Sequence, residues 1–225
     1  MVLPTSTGGG APRSYHHGKL RQALIDAALE LAQQSGPQRV SVREAARRLG
    51  VSPAAPFRHF PNRRALMTAV AEEGSERLRI EVKKCLAREK GGPLARLRSI
   101  GTGYLLWAQR NPAHFGIASA RDQIDVDGSV SLRQNIQEVR ALMVSTLQAA
   151  QAQGAVAAHL DAQVLALLAR ATSYGLARMQ LDGHLAQWGV TTAQAPAAMQ
   201  GVLDLLGVLM AGSVAERSRS AAACR

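Results

Sequence analysis

Between Ser41 and Phe60 the sequence predicts two short helices three residues apart, and so short a pair can be stable only when braced by neighbours. Ser41-Val42-Arg43-Glu44 has the S-x-x-E form of a capping box: Ser41 can accept from the Glu44 amide while Glu44 reaches back to the Ser41 amide. A helix is therefore predicted from Val42, with Val42, Ala45, Ala46 and Leu49 on its apolar face and Gly50 as its stop. Ser52 is then expected to cap a second short helix with Pro53 at its first position, where a missing amide hydrogen does no harm. His59-Phe60-Pro61 closes it.

The braces are visible on both sides. From Lys19 to Ser35, the residues Leu20, Leu24, Ala27 and Leu31 recur at steps of four, three and four, which puts them on one helical face ended by Gly36-Pro37. Asn62 caps a further helix that runs through Leu66, Ala69, Val70 and Leu78 to about Arg88, before Gly91-Gly92-Pro93. A helix preceding a tightly turned helix pair is the plan of a three-helix DNA-binding unit, in which the second helix of the pair enters the major groove.

The side chains of the pair suit that use. Ser52, Ala54 and Ala55 are small enough for the start of the recognition helix to approach the groove closely. Arg43, Arg58, His59 and Arg63 fall where they can reach phosphates and base edges; arginine can pair bidentately with guanine, whereas alanine offers only apolar contact, for instance to a thymine methyl. Taken singly, each arginine equally reads as a solvated surface charge. Their joint placement, with a formal net charge of +11, favours a polyanionic partner.

With these elements in place, the stretch from about Gly18 to Val70 resembles the DNA-binding domain of the TetR/AcrR family of transcriptional repressors. The resemblance is carried by Ala27-Ala28 and Leu31, by Val40-Ser41-Val42-Arg43-Glu44-Ala45-Ala46, by Leu49-Gly50-Val51-Ser52, and by Arg58-His59-Phe60-Pro61-Asn62-Arg63-Arg64-Ala65-Leu66. It implies that Ser41, Phe57, His59 and Arg63 hold phosphates, and that Arg43, Ser52, Ala54, Ala55 and Arg58 lie near base edges. The chain departs from the family at Phe57, where a tyrosine is usual, so a hydroxyl bond to phosphate is lost. It also has Pro56 inside the recognition helix, where it removes a donor.

Beyond Gly91, helices are predicted at about 94–110, 112–120, 131–153, 161–187 and 194–216, with a polar loop near 122–130. The whole chain is expected to be all-α, divided into a flexible arm at 1–14, a helix-turn-helix domain at 15–70, a helical regulatory and dimerisation domain at 71–217, and a flexible tail at 218–225. The helices at 161–187 and 194–216 are apolar on more than one face, as in Val164-Leu165-Ala166-Leu167-Leu168-Ala169 and Val202-Leu203-Asp204-Leu205-Leu206. A helix apolar on two faces needs two partners. These are either its own core and a second subunit in a twofold dimer, or two sides of one thick domain.

The resemblance implies the dimer, and with it a palindromic DNA operator and a small-molecule effector that releases the repressor. Ser173-Tyr174-Gly175 stands where one subgroup of the family carries Trp-His-Gly, with only the glycine retained. A ligand pocket among the middle helices would draw on Tyr104, Trp107, Phe115, Met143 and Tyr174, each of which also reads as ordinary core.

Other classes fare worse. No Gly-rich phosphate loop, H-E-x-x-H or G-x-S-x-G motif is present, so an enzyme is not expected. Asp122, Asp125, Asp127 and Gly128 faintly resemble a calcium loop, but Gln134 stands where the bidentate glutamate would be. The histidines share no ligand spacing, and Cys85 and Cys224 form no metal or redox pair, so neither metal nor cofactor is expected. Met1 to Pro12 lacks the pattern of a secretory signal. The apolar stretch Leu205 to Ala215 falls short of the roughly 20 residues a membrane crossing needs. A cytoplasmic protein without a membrane partner, nucleoid-associated when DNA-bound, is the expectation. The rival within DNA binding is a nonspecific compacting protein whose second half merely oligomerises.

Overall fold

The computed structural model describes residues 14–223 along the backbone and 19–212 in side-chain detail. The arm expected at 1–14 lies, but for Ser14, outside the described residues. Eight α-helices make up the described fold: α1 (Ser14–Ser35), α2 (Val42–Arg48), α3 (Arg63–Arg88), α4 (Pro93–Arg110), α5 (Pro112–Ser119), α6 (Val130–Ala152), α7 (Ala162–Leu181) and α8 (Ala195–Ala223). No strand occurs among the described residues.

The first core forms where α1, α2 and the start of α3 meet. Leu24, Ile25, Ala28 and Leu31 of α1 pack on Val40, Val42, Ala45, Phe60, Leu66, Met67 and Val70. Ala113 and Ile117 of α5, with Ile124 and Leu132, enter the same cluster. The expected domain boundary after residue 70 therefore falls inside α3, and the two units share a core there instead of a linker.

The second half is a bundle around α4. Its Gly103 lies so close to α3 that an added Cβ would stand 2.9 Å from the Val82 Cα, so this crossing tolerates no side chain. One cluster joins Val82, Leu97, Ile100, Met143, Leu147, Leu165 and Ala169, and another joins Tyr104, Trp107, Phe115, Ala177, Met199 and Leu203.

Several expectations need correcting. The helix read at 161–187 ends at Leu181, because Gly183 takes φ +74 in the left-handed region, and His184–Trp188 is a separate 3-10 turn. α8 continues to Ala223, over most of the stretch read as a flexible tail. The apolar segment counted as too short for a membrane belongs to this longer helix, and Ala195–Gly212 is long and apolar enough to cross one by length and composition. In this fold its inner side is taken up by protein: Ala195, Met199, Leu203 and Met210 are buried.

The recognition segment differs most. Ser52 caps no helix; Pro53 to Ala55 form a turn in which the Ala55 amide donates to the Ser52 carbonyl at 3.1 Å, and Pro56–Arg58 is a 3-10 turn. Proline explains the change. Pro56 has no hydrogen to give the Ser52 carbonyl, and its ring crowds that position, so the α-helical ladder cannot start at Pro53. The chain tightens, and the amides of His59 and Phe60 both reach the Pro56 carbonyl at 2.9 Å.

Candidate DNA-binding face and regulatory cleft

α2 is anchored by its cap and by its apolar side. The Glu44 amide donates to the Ser41 hydroxyl oxygen at 3.1 Å, which leaves the Ser41 hydroxyl hydrogen for an outside acceptor. The reciprocal half of the capping box is replaced: the Glu44 carboxylate receives the Arg47 guanidinium at 2.9 and 2.6 Å instead. That bond is the main reason the Glu44 carboxyl titrates below its ordinary value. Arg48 is held in turn by Glu30 and Gln34 of α1.

Away from this core most of the expected contact residues are open to solvent. Arg43, Ser52, Ala54, Phe57 and Arg58 are exposed, Ser41, Ala55 and His59 are partly so, and Pro56 is buried beneath them. Arg43 and Arg58 make no ion pair with any described residue, in contrast to Arg47 and Arg48.

Arg63 departs from the expectation. Its guanidinium turns inward, donating to the Val40 carbonyl at 2.7 Å, the Pro37 carbonyl at 2.8 Å and the Gln123 side-chain oxygen at 2.6 Å. With those bonds made, it is a brace for the backbone ahead of α2 and not a free phosphate contact. Sequence reasoning missed this because two of its acceptors are carbonyls, which any residue possesses.

Further along α3 the two halves are joined by polar contacts. Arg64 donates to the Ile124 carbonyl at 3.2 Å, and the Asp125 amide donates to the Thr68 hydroxyl at 2.8 Å. Gln22 of α1 donates to Glu73 at 3.1 Å, and the buried His114 of α5 lies 3.7 Å from the same carboxylate. Burial, helped by the Arg77 charge, holds the His114 imidazole below its ordinary pKa, and its Nε2 is buried without a hydrogen bond.

In the second half, Tyr104, Trp107, Phe115 and Tyr174 line a single cleft of about 340 Å³. Their rings touch: Phe115 stacks on Tyr174 with centroids 5.7 Å apart, and Trp107 lies 6.0 Å from Phe115. Met143 is not in that cleft. It lines an adjoining one of about 550 Å³ and, with Tyr104, a narrow internal cavity of about 30 Å³. Both clefts also include Arg121 and Arg170, which sequence reasoning did not single out. Arg170 had a signal, since it sits four residues before Tyr174 on the same side of α7. Arg121 had none, because only the chain path after α5 brings it there.

On the outside, Val164, Leu167 and Leu168 of α7 and Val202, Leu205, Val208 and Leu209 of α8 are exposed. Gly201 and Gly212 lie on the same side of α8, with nothing within 4 Å of where a Cβ would stand. Scattered exposed leucines are ordinary; here seven large apolar side chains are exposed on two helices that pack against each other.

A capped short helix followed by a tight recognition turn, packed on a helical domain with a cleft, is the arrangement of a DNA-binding regulator. The sequence matches the family model for bacterial regulatory proteins of the tetR family over residues 24–70, and that for the tetracyclin repressor-like C-terminal domain over residues 97–212. The chain belongs to the TetR family of transcriptional regulators.

Its fold is similar to a protein of unknown function from Rhodococcus sp. RHA1, at 27% identity and a TM-score of 0.73, covering 89% of this chain and 100% of that one. It is also similar in fold to the ketosteroid transcriptional regulator KstR2 of Mycobacterium tuberculosis, at 16% identity and a TM-score of 0.64, covering 90% and 97%. Among curated proteins it is similar to the nucleoid occlusion factor SlmA of Marinobacter nauticus, 30% identical over 94 residues, which cover 41% of this chain and 47% of that one. The SlmA of Vibrio vulnificus is 32% identical over 103 residues, covering 46% and 50%. The chain spans about half the length of the curated relatives it matches.

Proposed function

We propose that this regulator is a cytoplasmic homodimeric repressor that sits on a palindromic operator and leaves it when a small molecule binds the helical domain. The observation that carries the reading is the selective pairing of arginines: Arg47 and Arg48 are neutralised by Glu44 and Glu30, whereas Arg43 and Arg58 flank the exposed recognition turn without an acidic partner among the described residues. Unpaired arginines beside small side chains suit a groove rich in acceptors. Ser41, Ser52, Ala54, Ala55, Phe57 and His59 complete the contact surface; Arg63 serves it by bracing.

The apolar strip of α7 and α8 supports pairing with a second copy, since an identical strip is its natural complement about a twofold axis. Two recognition segments about one helical turn apart then read two half-sites.

The test compares binding to a palindrome from the upstream region of the protein's own gene with binding to random duplex, across several salt concentrations. A regulator prefers the palindrome at every salt concentration. Equal affinities with equal salt slopes would instead support the nonspecific, DNA-compacting reading.

A further inference from the structure

The two adjoining clefts share their walls at Ser75, Leu78, Arg121, Ile136, Leu167 and Arg170, so the same arginines face both and apolar side chains surround them. Its charge is one-sided. The smaller cleft is lined by Arg121 and Arg170 with no carboxylate at all. The larger adds Arg140 and one acid, Asp161, and that carboxylate already accepts from the Gln163 amide at 2.7 Å as the cap of α7. Neither Arg121 nor Arg170 forms an ion pair with any described residue.

Arg170 lies over the Tyr104 ring at 4.4 Å and the Tyr174 ring at 5.4 Å, contacts that hold its plane while leaving edge N–H groups to donate. The Trp107 indole N–H is buried without an acceptor.

From this lining we infer that the effector is an apolar or aromatic monocarboxylate, its carboxylate taken by Arg170 and Arg121 and its body lying against Trp107, Phe115 and Ile136. The inference rests on the proposed effector-released repressor and specifies the chemistry of its ligand. A polyphosphate or sugar is disfavoured by walls that offer mainly leucine, isoleucine and aromatic surface. A neutral hydrocarbon would gain nothing from either guanidinium group.

The experiment uses 4-butylbenzoate and its neutral isostere 4-butylbenzamide as probes. The chain has two tryptophans, and Trp188 is 75% exposed, so Trp188→Phe leaves Trp107 as the single indole reporter. Titration followed by Trp107 fluorescence should show the carboxylate binding at least about tenfold more tightly than the amide. Arg170→Gln should abolish that preference, and Arg121→Gln should reduce it, while both variants keep the wild-type helical circular dichroism. Equal affinity for the two probes, binding of neither, or an unchanged preference in Arg170→Gln would overturn the inference. Operator preference is measured on the ligand-free protein, so its loss would sink the proposed function separately and leave this result readable.

Discussion

Arg63 and Gln123, sixty residues apart, are joined at 2.6 Å, and the same guanidinium holds the Pro37 and Val40 carbonyls. One side chain thus ties the backbone ahead of α2 to the segment after α5. Arg121 of the cleft lies two residues before Gln123 on one 3-10 turn. Arg63→Ala should orphan the Val40 carbonyl, leave the Pro37 carbonyl with only the Val40 amide, and lower stability by about 1–3 kcal/mol. Gln123→Ala keeps the carbonyl bonds, so it should leave stability nearly unchanged while loosening the tie between cleft and DNA-binding unit. Denaturant unfolding and operator titration with and without ligand check both. A Gln123→Ala variant with unaltered ligand-dependent release would argue against this route.

Arg43→Ala and Arg58→Ala should each cost about 1–3 kcal/mol of operator affinity if they touch base edges, with the oligomer unchanged. Arg47→Ala, which breaks only an exposed pair with Glu44, should cost far less. Gel-shift titrations of the three variants check the order; normal binding by both Arg43→Ala and Arg58→Ala would displace the recognition surface.

Pro56→Ala restores an amide hydrogen that can reach the Ser52 carbonyl. It should let an α-helical turn form from Pro53 and shift base preference at the half-site, with little change in salt slope. Selection of preferred sequences from a random pool reads this directly, and an identical preferred site would show that the tight turn has no part in specificity.

His114 predicts a pH dependence of stability. Burial, then the Arg77 charge, depresses its folded pKa below the ordinary 6.5, with Glu73 pulling the other way. The unfolded chain therefore takes up this proton first as pH falls. The contribution is fully present above about pH 6.5 and is lost as pH drops from there toward the folded value. Glu73 acts in a lower window: burial alone would raise its pKa, yet bonds from Gln22 and Arg77 outweigh it, so its contribution is lost below about pH 4.5. Thermal midpoints between about pH 7.5 and 5 should fall more steeply for wild type than for His114→Gln. Parallel curves would remove His114 from the account.

Leu209 is 64% exposed in the single chain, so Leu209→Glu should alter the stability of the isolated subunit by no more than about 0.5 kcal/mol. Buried in a twofold interface, the same charge would be prohibitive. Light scattering should find the wild type dimeric and the variant monomeric, with operator affinity reduced in step.

Much of the DNA-binding half was legible in the residue pattern. The Ser41 cap, the apolar faces of α1 and α2, and the Asn62 cap of α3 follow from contacts within four residues, which spacing alone specifies. Helix type and order in the second half were equally legible, because apolar periodicity and Gly or Pro stops are local too. The recognition turn was not legible in this way: Pro56 shows that one amide hydrogen is missing, but the tightening of the whole segment around it depends on the bonds that replace the lost one.

Tertiary structure alone decided what depends on distant pairs. Arg63 could not be known as a brace until Pro37, Val40 and Gln123 converged on it. Met143 and Tyr174 needed the bundle to sort them into adjoining cavities, and Arg121 needed the path after α5 to reach a cleft at all. Periodicity tells which side of a helix is apolar; only packing tells which neighbour that side meets and which part of it is left uncovered.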